Sequence, residues 1–332
     1  MSQPSSPDSP AETLLVVRKS SDALDFLDTG SGARFASVPV GAAPHEVAVS
    51  PDARRAVVSN YGTSDAPGTT LRLVDLARAE VSAVIDVTPH IHPHGLAWLS
   101  PSRLAVTVEG ASNLIVVDVD AGRVEAAIAT GQVMSHMVVA SADGARAFVA
   151  NIRSGTMTVV DLAASRKVAD IATGAGSEGL ALTRDGREVW VCARAENRMA
   201  VVDTATLEIV ASVETPAMPI RVAMSPDGGT AYVTCAAGSA LIAIDVTSRA
   251  VAATHRVDLP LAQGAETRQF AHLGPGTPLP IGLVVSPSGA IYLAATMADR
   301  VECLDAATLT PARSFDVGGE PDGITVVAGG SR

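Results

Sequence analysis

Ala43-Pro44-His45-Glu46-Val47-Ala48-Val49-Ser50-Pro51-Asp52 decides the fold, because altered copies of it return along the chain. They read Pro93-His94-Gly95-Leu96-Ala97-Trp98, Ser135-His136-Met137-Val138-Val139, Ser177-Glu178-Gly179-Leu180-Ala181-Leu182, Pro219-Ile220-Arg221-Val222-Ala223-Met224, Pro280-Ile281-Gly282-Leu283-Val284-Val285 and Pro321-Asp322-Gly323-Ile324-Thr325-Val326. Aligned on the residue after the Pro or Ser, the anchors are His45, His94, His136, Glu178, Ile220, Ile281 and Asp322. Most lie forty-one to forty-nine positions apart, and a period near forty-two is that of a propeller blade.

Each copy continues with an apolar strand, a Ser-Pro-Asp-Gly-like turn, a second strand, a polar loop and a third strand closed by Asp. The closing residues are Asp28, Asp75, Asp118, Asp161, Asp203, Asp245 and Asp305, whose short side chains accept hydrogen bonds from amides just ahead and fix a turn into a fourth strand. Four strands per unit make one blade. The copy at Pro321 supplies only an inner strand, whereas Thr13–Val17, Leu24–Asp28 and Ala33–Val40 supply three strands without one. The expectation is an all-β, seven-bladed propeller over residues 13–332, a single domain closed velcro-fashion by both termini.

Ala231-Tyr232-Val233-Thr234-Cys235 after Ser225-Pro226-Asp227-Gly228, with Ala243-Ile244-Asp245 following, resembles the YVTN-type forty-residue-repeat propeller family. The resemblance implies seven blades over nearly the whole chain. It implies little about activity, because this repeat carries surface proteins, binding proteins and enzymes alike.

Composition narrows the function classes. Apolar residues make up 47% of the chain and aromatics only 3%, so the core must be built from Val, Ala, Ile and Leu. With a net charge of −11 and no long basic run, nucleic acid is excluded as a partner. No apolar span is long enough for a membrane helix. Residues 1–12, rich in Ser, Pro and acid, lack the pattern of a secretory signal and read as a disordered leader. A cytoplasmic monomer is therefore expected. Cys192, Cys235 and Cys303 fall in or beside strands and read as small buried residues.

The anchors begin the innermost strands, so their side chains should ring the channel mouth. Composition predicts about 0.15 histidines over seven positions, yet three occur. Three imidazoles beside carboxylates suit one divalent transition metal ion (Zn, Fe, Mn, Ni or Cu) bound by His45, His94 and His136. Glu178 is then a fourth ligand or a general base, and Asp322 is placed to orient His45. Polar residues lining a watered channel, or metal-free acid–base histidines, are the competing readings.

Other groups gather on the same face. Glu109 stands where neighbouring blades carry Asn60 and Asn151, and could add a carboxylate beside the ring. The His90-Ile91-His92-Pro93-His94 segment makes His92 a candidate proton shuttle. Arg153, Arg194 and Arg221 are candidates to receive a substrate carboxylate or phosphate, with Ile220 and Ile281 as the apolar arc. A long insertion, residues 258–280, carries His272 as a lid residue.

The expected function is a metal-dependent hydrolase, lyase or isomerase acting on a small oxygenated or anionic molecule. Pro93-His94-Gly95 is faintly similar to inner strands of propeller lactonases. An iron-dependent oxygenase, similar to the carotenoid-cleaving propellers, and a non-catalytic binding scaffold are the alternatives.

Overall fold

The computed structural model describes residues 12–328. Seven four-stranded antiparallel sheets follow one another around a ring, giving an all-β, seven-bladed propeller. In the closing blade, Pro321–Val327 pairs with Thr13–Arg18, which pairs in turn with Ala23–Asp28 and that with Arg34–Pro39. Thr13 faces Val327 and Val16 faces Ile324, so the two ends of the chain complete one sheet. The expected leader lies outside the described residues except for Glu12, whose carboxylate accepts hydrogen bonds from Ser286 and Ser288.

Why these segments are strands follows from burial on both faces. Leu14, Leu15, Val16 and Val17 are all fully buried, because each middle strand is covered by the blade before and the blade after. The outermost strands, such as Arg166–Ile171, are largely exposed and carry charge, which discourages pairing with other chains. Between blades the core is aliphatic: Trp190, Cys192 and Met199 pack against Ala231, Val233 and Ile242 of the next blade. All three cysteines are free and buried. The closing aspartates make the expected turns; Asp75 Oδ1, for example, accepts from the amides of Ala77 and Arg78 at 2.9 Å.

Two backbone devices position the channel mouth. The residue before every inner strand (Ala43, His92, Met134, Gly176, Met218, Leu279 or Glu320) has a left-handed φ between 45° and 74°. Directly after it, the pairing of the inner strand shifts register at the anchor, between Pro44 and Val47 and at the matching place in the other blades. A bulge of this kind re-aims a side chain, here toward the channel.

The insertion forms two short 3-10 turns, Ala265–Thr267 and Ala271–Leu273. Arg268 straps it down through Asp299, at 2.8 and 2.7 Å. Ala265, Phe270 and Leu273 pack with Ile220, Ile281 and Met297, so the insertion roofs the apolar arc of the mouth. No helix among the described residues is long and apolar enough to cross a membrane.

Candidate functional site

The position after each anchor explains how the mouth is built. It is glycine in four copies, because neighbouring inner strands touch there: a Cβ on Gly282 would sit 2.0 Å from the Asp322 carbonyl oxygen, and one on Gly323 2.4 Å from that of His45. Met137 takes its place in the third copy, and the charged Glu46 and Arg221 in the first and fifth. The two charged residues meet across the channel, Arg221 Nη2 donating to Glu46 Oε1 at 2.6 Å. Arg221 Nη1 also lies 3.6 Å from Glu178 Oε1.

The mouth opens into a cavity of about 680 Å³. His45, His94, His136, Glu178, Ile220, Ile281 and Asp322 line it, so all seven anchors converge on one space. The three imidazoles stack in sequence, with centroids 4.6 Å apart for His45 and His94 and 3.8 Å for His94 and His136.

Their surroundings give them different charges. His136 is held at both ring nitrogens: Nδ1 makes a very short contact with Glu109 Oε1, and Nε2 lies 3.4 Å from Glu178 Oε1. Burial would lower its pKa, but hydrogen bonds to Glu109 and Glu178 outweigh it and raise the value to about 9. His136 is an imidazolium at neutral pH. Those bonds also hold Glu109 and Glu178 below the usual carboxylate range despite their burial. Tyr61 donates to Glu109 Oε2 at 2.5 Å and Arg194 to Glu178 Oε2 at 2.5 Å, completing a chain of charged groups along the wall.

His94 is the opposite case. Burial and then the His136 charge push its pKa well down, so its ring is neutral, and its buried Nδ1 has no hydrogen-bond partner. His45 is also neutral, lowered to about 4 by burial and then by Lys19. Its Nδ1 lies 2.9 Å from Asp322 Oδ2, too poorly aligned to make a hydrogen bond. Lys19 Nζ reaches Asp322 Oδ2 at 3.2 Å and sits 3.8 Å from the centroid of Phe270.

Glu109, Arg194, Arg221 and His272 line the cavity as well; His92 and Arg153 do not. His92 occupies the left-handed position before its strand, which turns its ring away to stack on Tyr61, centroid to centroid 4.5 Å, with Nδ1 2.8 Å from the Tyr61 carbonyl oxygen. Arg153 is exposed. Sequence reasoning missed Tyr61, Glu46 and the role of Lys19. For Glu46 a signal existed: it is a charged residue in a position where most copies have glycine, as is Arg221.

The model of the family described as "Cytochrome D1 heme domain" matches residues 100–236, short of half the chain. No curated protein matches. Among solved structures, Kuenenia stuttgartiensis hydrazine synthase has a TM-score of 0.73 at 18% identity, covering 92% of this chain and 98% of that one. A functionally unknown protein from Desulfotomaculum acetoxidans reaches 0.74 at 13% identity, over 95% and 98%. Dihydro-heme d1 dehydrogenase NirN in complex with DHE reaches 0.67 at 16% identity, over 98% of this chain and 77% of that one. At these identities the likeness shows a shared fold.

These findings correct the cofactor expectation. The matching family is a heme domain, and its match spans Glu109, His136, Glu178, Arg194 and Arg221, which points to a heme-type group instead of a lone divalent Zn, Fe, Mn, Ni or Cu ion. The geometry also departs from the expected triad: the donor atoms that come within 4.8 Å of one another are those of His94, Glu109 and His136, without His45. The match is likewise to a heme domain and not to a hydrolase, lyase or isomerase.

Proposed function

We propose that this propeller binds a heme-type tetrapyrrole over the mouth of its channel, with His94 as the donor presented to the iron. The observation that carries the reading is the neutral imidazole of His94 in the wall of a cavity large enough for a cofactor. The donor set fits the group: two neutral imidazoles, His94 and His45, beside an apolar arc of Ile220, Ile281, Phe270 and Leu273 suited to a flat ring. Support also comes from the heme-domain likeness of residues 100–236 and from the fold shared with NirN, solved in complex with DHE.

A bound heme would supply one-electron and ligand-exchange chemistry at its iron. The chain's own residues do the rest. His45, neutral and lining the cavity, accepts a proton or a hydrogen bond from a small molecule there. Glu109 and Glu178 hold protons on both nitrogens of His136, which makes it the acid of the site. Arg194 and Arg221 keep Glu178 charged instead of capturing a substrate anion. Phe270 and Leu273, on the insertion, exclude water from the apolar side. The YVTN-type resemblance belongs to the same reading: it describes the scaffold, and the chemistry lies at the mouth.

The test is absorbance of the purified protein after addition of hemin, compared with His94→Ala and, as a control outside the cavity, His90→Ala. Wild type and His90→Ala should show the bands of a histidine-ligated ferric heme. His94→Ala should lose them and bind on the order of ten-fold more weakly or worse. An unchanged spectrum in His94→Ala contradicts the assignment.

A further inference from the structure

Lysine is rare in this chain: of its 24 basic side chains only two are lysines, Lys19 and Lys167. Lys167 is exposed on an outer strand, where it donates to Asp170 Oδ2 at 2.7 Å. Lys19 is 8% exposed and lines the cavity. Where the protein needs only an ion pair it uses arginine, as in Arg221 with Glu46, Arg194 with Glu178 and Arg268 with Asp299. Arginine stays protonated, whereas lysine can give up its proton and become a nucleophile.

The fold delivers Lys19 to the cavity through a repeat position of its own. In each blade one residue of the second strand pairs with the Pro or Ser that opens the inner strand; in the closing blade Arg18 pairs with Pro321. The residue after that partner is Lys19, Tyr61, Glu109, Ile152 or Arg194 in five of the blades, and all five line the cavity. Backbone contacts pin it there. The Lys19 amide donates to the Glu320 carbonyl oxygen at 3.2 Å and the Ser20 amide to that of Gly319 at 3.1 Å, against the segment leading into Asp322. Nζ is thereby held 3.2 Å from Asp322 Oδ2 and 3.8 Å from the centre of the Phe270 ring. Burial pulls the Lys19 pKa down and the Asp322 charge only partly offsets it, so the free amine is more accessible than in an ordinary lysine.

We propose that Lys19 is a covalent carbonyl-binding site, whose amine condenses with an aldehyde or unhindered ketone of apolar body to a protonated imine. The balance needs no further reactant. The carbonyl oxygen leaves as water with two of the three ammonium protons, C=N replaces C=O, and the third proton stays on nitrogen. No electrons are exchanged. The iminium inherits both neighbours of the ammonium, the Asp322 carboxylate as counter-ion and the Phe270 face as a cation–π partner. The apolar preference follows from Phe270, which packs in one cluster with Ile220, Ile281 and Leu273. This inference goes beyond the tetrapyrrole reading and stands without it, since neither His94 nor an iron takes part.

The experiment treats the full chain, without added heme, with benzaldehyde and sodium cyanoborohydride, which reduces an imine to a stable secondary amine. Peptide mass mapping then locates the label. Label on Lys19 should saturate with benzaldehyde concentration and exceed that on Lys167 on the order of ten-fold or more. Unfolding in urea should abolish the preference. Lys19→Arg, which keeps a cation beside Asp322, should remove the saturable label; the comparison of the two lysines within the wild-type chain decides the matter even where that variant folds poorly. Equal labelling of both lysines in the folded chain, a Lys19 label that rises without saturating, or a preference that persists in urea overturns the proposal and leaves the tetrapyrrole reading in place.

Discussion

Arg221 and Glu46 form an ion pair at 2.6 Å across the central channel, although 175 positions separate them in the chain. The pair is largely buried, with side chains 11% and 12% exposed. It also ties the fifth repeat to the first, and Arg221 reaches Glu178 from the same place. Burial raises the Glu46 pKa, and Arg221 only partly offsets it, so this contact is balanced between charge attraction and desolvation.

Arg221→Met should therefore destabilise the fold by about 3–5 kcal/mol, because it leaves the Glu46 carboxylate without its partner, whereas Glu178 keeps Arg194. Adding Glu46→Gln to it should recover a substantial part of the loss. Urea unfolding of the two single variants and the double variant measures the coupling. Additive single effects would show that the two side chains do not interact.

Gly282→Ala should destabilise by about 1–3 kcal/mol. Its Cβ would meet the Asp322 carbonyl oxygen at 2.0 Å, which is backbone and can yield only if the sixth and seventh inner strands separate. Gly186→Ala, where a Cβ meets nothing within 4 Å although φ is 70°, should cost only the backbone strain. Thermal unfolding of both variants checks the order.

Stability should peak in mildly acidic to neutral solution and decline on both sides. His136 has a folded pKa raised to about 9, so its contribution is complete below about pH 6.5 and is lost as pH rises through 9. His45 is lowered to about 4; the unfolded chain takes up its proton first, so stability drops as pH falls from about 6.5 toward 4. Urea midpoints across this range measure both limbs. Glu109→Gln should flatten the alkaline limb, and an unaltered limb would contradict the Glu109–His136 assignment.

Deleting residues 321–332 removes the strand Pro321–Val327, which completes the closing sheet. The truncated chain should lose its single cooperative transition and associate through the exposed edge of Thr13–Arg18. A monomer with unchanged unfolding would show that the closure contributes little.

The blades and their anchors were legible because their signals are local. A Pro or Ser, an apolar run and an Asp turn recur within each forty-odd residues, and each of the seven inner strands begins at that Pro or Ser. What each anchor does was less legible. His45, His94 and His136 look alike in sequence, yet contacts with other blades leave two neutral and one charged. Glu109 could be placed near the ring from its departure from Asn, but its hydrogen bond to His136 depends on how two blades abut. His92 was misplaced for a backbone reason: the left-handed φ before the inner strand turns it aside, and its spacing from His94 does not reveal that. The Glu46–Arg221 pair is a contact across the ring that no single repeat encodes.

The measurement that tests the central claim most directly is an absorbance titration of the purified protein with hemin, extended past equivalence. The account predicts a shifted, saturating band with a break near one heme per chain. A linear, unsaturated rise with the spectrum of free hemin would contradict it.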